Sequence, residues 1–138
     1  MILFDTNIVS ELMRPQPNPA VLAFAQGCQA EDVFLPSLCE AELRYGIMRL
    51  LPGRRRGELE AGFEAVLVQA FAGRILAFDS ACARAYATLR TQRERAGRPI
   101  AVTDLLIGGM ALAHGAALAT RNLADFDGYG LVLVDPWT

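Results

Sequence analysis

The chain has 138 residues and a mass of 15.0 kDa, the size of one domain able to bury a sizeable core. Hydrophobic residues make up 53% of it and charged ones 20%, which excludes intrinsic disorder. Net charge is −2 and all thirteen basic residues are Arg, so any nucleic acid must be met by a local Arg patch rather than a global positive field.

The first apolar run, Met1–Phe4, is strand-length and ends at Asp5. Thr6 and Asn7 open a helical stretch to about Arg14, and Pro15–Pro19 breaks it. Asn18 before Pro19 reads as an N-cap with proline at the first helical position, giving a helix to about Cys28. Val33–Leu35 predicts a short strand stopped by Pro36. Ser37 is the expected cap of a third helix, about Leu38–Leu51, stopped by Pro52-Gly53. Leu59, Phe63, Val66, Leu67, Ala70 and Phe71 recur at helical spacing, and Gly73 ends that helix. Ile75–Phe78 predicts a strand. Asp79 and Ser80 cap the next helix, whose apolar face is Cys82, Ala85, Tyr86 and Leu89 and whose stop is Gly97-Arg98-Pro99. Thr103 is the expected cap of a nearly all-apolar helix, about Asp104–His114. Leu118–Ala119 and Leu131–Val134 are the last strands. Short strands separated by helices predict an α/β fold. We expect a single three-layer sandwich over 1–138, with a roughly five-stranded parallel sheet flanked by helices.

The opening MILFD has no basic leader and meets an acid at position 5, so it does not read as a signal peptide. No run approaches about 20 uninterrupted apolar residues, so no membrane span is expected. Cys28, Cys39 and Cys82 lack the spacing of a disulfide framework or a zinc site and read as small buried residues. These features point to a cytoplasmic chain.

Most acids have ordinary explanations. Glu58, Glu60 and Glu64 lie on a solvated helix face, and Glu40 has Arg44 four residues on. Three acids do not. Asp5 ends the first strand, where open parallel sheets bind ligands, although it could equally cap the next helix. Glu42 lies mid-helix without a basic neighbour at three or four residues, between one apolar arc (Cys39, Leu43, Ile47, Leu50) and another (Ala41, Tyr45, Met48). It either points into water or is half-buried and needs a cation. Asp104 opens the most apolar helix, where the macrodipole would also favour it. Asn122 and Asp125 follow the next strand, after Thr120. If strands one and four are neighbours, these groups gather at one sheet edge. Oxygen ligands without Cys or His select a hard cation, Mg²⁺ or Mn²⁺.

On these residues the chain resembles the PIN-domain ribonucleases, specifically the VapC and FitB toxins of bacterial toxin–antitoxin pairs. The similar stretches are MILFDTNIVSELMRP, CEAELRYGI, VTDLLIGGMALAHG, LATRNLADF and the closing DPWT, in order along the whole chain. The resemblance implies a PIN-like fold and a Mg²⁺- or Mn²⁺-dependent endoribonuclease, in which a metal-activated water attacks the RNA phosphate without an obligatory His base. It places the family's three acids at Asp5, Glu42 and Asp104. Asp5 and Asp104 would hold the principal metal, with Glu42 binding directly or through water. Where the family most often has a fourth acid this chain has Asn122, an uncharged ligand that weakens a second metal site; Asp125 would substitute. Thr6 and Thr120 would orient these ligands. The resemblance also implies a homodimer and a cognate VapB/FitA-like antitoxin, with DNA met only indirectly through it. The arc Ala41/Tyr45/Met48 is either core against a neighbouring helix or a surface for self-association or the antitoxin's tail.

Arg54-Arg55-Arg56 and Arg90, Arg93, Arg95 and Arg98 are the basic clusters, and Arg121 adjoins the proposed site. Each is either a solvated face or a phosphate contact. His114, at the end of its helix, reads as structural. Two other functions compete. A catalytically idle PIN-like module would bind antitoxin or RNA without cleaving it. A phosphotransfer domain would want a second Asp where this chain has Asn7, or a Lys, and the chain has none.

Overall fold

The computed structural model describes residues 1–138. The elements in order are β1 (Ile2–Phe4), α1 (Thr6–Leu12), α2 (Pro19–Gly27), β2 (Val33–Pro36), α3 (Ser37–Met48), α4 (Arg54–Val66), β3 (Ile75–Leu76), α5 (Ser80–Arg95), α6 (Val102–His114), β4 (Ala117–Ala119), α7 (Leu123–Phe126) and β5 (Val132–Val134). A 3₁₀ turn at Ala30–Asp32 precedes β2, and a π turn at Leu67–Phe71 follows α4.

The five strands form one parallel sheet in the order β3-β2-β1-β4-β5. β1 pairs with β4 from Ile2 opposite Ala117 to Phe4 opposite Ala119. The chain runs outward to β3 on one side of β1 and to β5 on the other, so the strand order reverses between β1 and β4. That reversal leaves a crevice at the carboxyl ends of these two strands, where α/β sheets bind ligands. Both central strands are apolar because both their faces are covered. Leu3 and Leu118 are fully buried, in one core with Ile8, Leu35, Ile107 and Met110.

Several element ends differ from the sequence expectation. Neither Ser37 nor Thr103 caps its helix. Pro36 and Ala101 stand at those N-cap positions without a side-chain hydrogen bond, and each helix starts one to two residues earlier than expected. α3 ends at Met48, short of Leu51. β3 has two residues rather than four, and the short helix α7 had no apolar period long enough to reveal it. The expected caps do form at Asn18, which accepts from Ala20 and Val21, and at Asp79, which accepts from the Cys82 N–H at 3.0 Å.

α5 and α6 lie unusually close. A Cβ on Gly109 would fall 2.9 Å from the Tyr86 backbone nitrogen, and one on Gly108 would fall 2.9 Å from Leu89 Cδ2. The two glycines are therefore the side chains that this seam permits. The seam fixes α6, and with it the direction from which Asp104 enters the crevice.

Candidate active site

Asp5 leaves β1 at the crevice and is 3% exposed. Three groups hold its carboxylate. Oδ1 accepts from the Thr6 N–H at 2.8 Å, and the Cys39 thiol lies 3.7 Å from the same oxygen. Oδ2 accepts from the Thr120 hydroxyl at 2.7 Å. Asp5 therefore caps α1 and also stands at the carboxyl end of β1, beside β4. The Thr120 hydroxyl also accepts from the Asn122 N–H at 3.1 Å, which fixes the direction of its own proton toward Asp5.

Glu42 comes from α3 and is exposed rather than half-buried. No arginine reaches it; its Oε1 accepts from the Thr6 hydroxyl at 2.7 Å. Thr6 and Thr120 thus orient Glu42 and Asp5 respectively. Ligand atoms of Asp5, Cys39 and Glu42 all lie within 4.8 Å of one another. Sequence reading assigned Cys39 to the core and missed this contact. The available signal was its position three residues before Glu42, on the same side of α3. Burial and the Asp5 charge hold its thiol well above the usual range, so it is a neutral neighbour rather than a thiolate.

Asp104 sits in the first turn of α6 and is half-buried. Its carboxyl is pushed up to about 6, first by burial and then by the charges of Asp5, Asp125 and Glu42. The helix N-terminus favours the anion, but desolvation and like charge outweigh it here. No salt bridge reaches Asp5, Glu42 or Asp104. Asn122 occupies the N-cap position of α7 without a side-chain cap bond, and Asp125 is exposed one turn on. Asp104 and Asp125 lie outside the tight group of Asp5, Cys39 and Glu42, although the charges of Asp5, Glu42 and Asp125 all act on Asp104.

The donor set fits a hard divalent cation. Convergent carboxylates without a positive partner repel one another, and Asp104 is shifted toward its protonated form. A cation would relieve both effects.

The basic clusters divide. Arg54 pairs with Glu58 at 2.9 Å and Arg56 with Glu60 at 2.8 Å. Arg90 pairs with Glu94, and Arg93 is 2% exposed, donates to the Arg98 carbonyl and lies 4.9 Å from the Tyr129 ring centre. Arg93 is thus a structural clamp, not a phosphate contact. Arg121 stacks on Trp137 at 5.0 Å beside the site. The Ala41/Tyr45/Met48 arc is not core: Tyr45 and Met48 are 68% and 61% exposed. A second trio, Asp79, Cys82 and His114, also lies within 4.8 Å at the far end of α6, but capping accounts for Asp79.

An α/β domain with an uncompensated acidic crevice at its switch point is the class that these features define. Residues 2–129 match the PIN domain family, and the chain belongs to that family. Within it the chain lies among VapC- and FitB-type proteins. It is 38% identical to the VapC ribonuclease Y4jK of Sinorhizobium fredii over 99% of this chain and 98% of that one. It is 39% identical to toxin FitB of Neisseria gonorrhoeae over 99% of both. Among solved structures, FitAB bound to the IR36 DNA fragment superimposes with a TM-score of 0.92 at 38% identity, covering 100% of this chain and 96% of that one. VapBC2 of Rickettsia felis, bound to a DNA fragment from its promoter, gives 0.83 at 27% identity, covering 97% and 98%.

Proposed function

We propose that the chain is a Mg²⁺- or Mn²⁺-dependent endoribonuclease that acts as the toxin of a toxin–antitoxin pair in the cytoplasm. The observation that carries this reading is the crevice itself: Asp5 and Glu42 meet there, their charges act on Asp104, which is pushed up to about 6, and no basic side chain pairs with any of the three. The names of its relatives, VapC ribonuclease and toxin FitB, support the same reading.

Asp5 and Asp104 would hold the ion, with Glu42 beside them and Asn122 and Asp125 as outer candidates. When bound, such an ion supplies Lewis acidity and neutralises charge building on a phosphoryl oxygen. The rest falls to the chain. Thr120 keeps Asp5 Oδ2 hydrogen-bonded, so this carboxylate meets its ligand without rotating. Thr6 turns Glu42 toward the crevice from a helix that would otherwise leave it in water. A cation held there would favour the ionised form of Asp104, so its binding near pH 6 would release protons. Arg121 offers a phosphate contact at the rim.

The partners we propose are RNA as substrate, a second copy of this chain and a VapB/FitA-like antitoxin, with DNA reached only through the antitoxin. The exposed Tyr45/Met48 face suits one of the two protein contacts.

Calorimetric titration with Mg²⁺ or Mn²⁺ tests the reading. We expect saturable uptake by the native chain and none by Asp104→Asn, and then RNA cleavage that chelator abolishes. Folded native protein that takes up no metal at millimolar excess would overturn it. Metal uptake and RNA binding without cleavage would favour the idle binding module, the reading that the uncharged Asn122 supports.

A further inference from the structure

A cleft of about 430 Å³ opens beside the acidic crevice, and Thr6, Ser10, Arg14, Glu42 and Arg55 are among the residues that line it. Its wall therefore includes Glu42 and the hydroxyl that orients Glu42. Of the three consecutive arginines, the outer two are neutralised by Glu58 and Glu60, one turn along α4. Arg55, between them, is exposed and has no carboxylate partner. Arg14 faces the same cleft and is held only at 3.4 Å by Glu11, with 66% of its side chain exposed. In a chain of net charge −2, Arg55 is thus a guanidinium without a carboxylate partner beside an acidic crevice, and Arg14 is one only loosely held.

We infer that Arg55, assisted by Arg14, binds a non-scissile phosphate of the RNA backbone on the Glu42 side of the crevice. This rests on the ribonuclease reading. The guanidinium fork suits a phosphate's paired oxygens. Arg121 stands on the other side, adjacent to Thr120 and stacked on Trp137. The strand would then be held at two points flanking the carboxylates, and the phosphate between them delivered to the metal-binding edge. A local pair of contacts of this kind lets an acidic protein hold a polyanion without a basic surface. The pattern of pairing, not the basic run itself, marks the position: Arg54 and Arg56 lie in the same run and are spent on their own helix.

The test is equilibrium binding of a fluorescent oligoribonucleotide to the full chain in chelator, from 50 to 200 mM salt, for the native protein, Arg55→Ala, Arg55→Lys and Arg54→Ala. Working in chelator separates binding from cleavage. We expect Arg55→Ala to weaken binding about tenfold and to lower the salt slope by about 0.7 to 1. Arg55→Lys should recover part of the affinity, and Arg54→Ala should change it less than twofold. With metal and a cleavable RNA, Arg55→Ala should raise KM and leave kcat near native. Equal affinity and slope for Arg55→Ala and Arg54→Ala would overturn the inference while leaving cleavage, and so the ribonuclease reading, intact. So would an Arg55-dependent affinity for a labelled poly-glutamate peptide but not for RNA, which would make the cleft a peptide dock. A native chain that cleaves no RNA with any metal, yet binds it through Arg55, would break the ribonuclease reading alone.

Discussion

The first turn and the middle of helix α6 do opposite things. At its start, Asp104 is held half-buried against the charges of Asp5, Asp125 and Glu42, an arrangement that destabilises the ionised fold. One turn later, Gly108 and Gly109 bring the same helix against α5, and at Gly109 the Tyr86 backbone leaves no room for a methyl group. At the glycines the seam is uncharged and tight; the crevice is charged and mutually repulsive. Close packing at the first offsets repulsion at the second, because a helix anchored along its middle cannot swing its first turn away from like charge. The first turn and the middle should therefore fail differently when changed.

The largest expected effect is on the crevice. Asp104→Asn should reduce metal-dependent RNA cleavage by more than the roughly 10–100-fold typical of residues that only support a ligand, measured against a cleavable RNA at saturating Mn²⁺. The same variant should melt no lower than the native chain. Its opposite is Gly109→Ala, which should lose about 1–3 kcal/mol of stability through overpacking against the Tyr86 backbone, while the folded fraction keeps its metal affinity. Thermal melts and metal titration of both variants break the comparison if each moves the quantity assigned to the other.

Thr120→Val removes the hydroxyl that donates to Asp5 and accepts from Asn122. It should lower metal affinity about 10–100-fold with little change in the sheet. Calorimetry reads that loss, and Thr120→Ser should restore most of it.

The smallest effect is the dependence of stability on pH in chelator. An acid with its folded-state titration raised from 3.8 to about 6 binds more protons folded than unfolded between those values. Its contribution to stability is therefore lost as pH rises from about 4 through about 6, and is level above that. Asp104→Asn should flatten this segment of the curve, and saturating Mg²⁺ should reverse its sign. Melts at half-unit pH steps would resolve it.

Much of this molecule is legible along the chain. The strand at residues 1–4, the caps at Asn18 and Asp79, and the apolar helix around Ile107 follow from period, proline and cap chemistry within a few residues of each other. Asp5 and Asp104 stand out because a charge interrupts or opens an apolar run. The remaining features are not local. Glu42 reads equally as a solvated or a half-buried acid until Thr6, 36 residues away, is seen to donate to it. Cys39 reads as core and is core, yet its thiol also touches the Asp5 carboxylate. Tyr45 and Met48 read in sequence either as core or as a contact surface, and the structure leaves them exposed, because helical period says which residues share a face but not whether another element covers it. Arg54, Arg55 and Arg56 are chemically identical in sequence, and only the pairing of the outer two with α4 carboxylates separates them.

By itself, then, the sequence determined the alternation of short apolar strands with helices, and the acids placed where those strands and helices begin and end. These are effects of neighbours within about one or two helical turns, whose geometry the backbone period sets. Only the tertiary structure decided that β1 lies beside β4, so that Asp5 and Thr120, 115 residues apart, share a hydrogen bond at the switch point. Strand order depends on which faces pack together across the whole chain, and no local period encodes it.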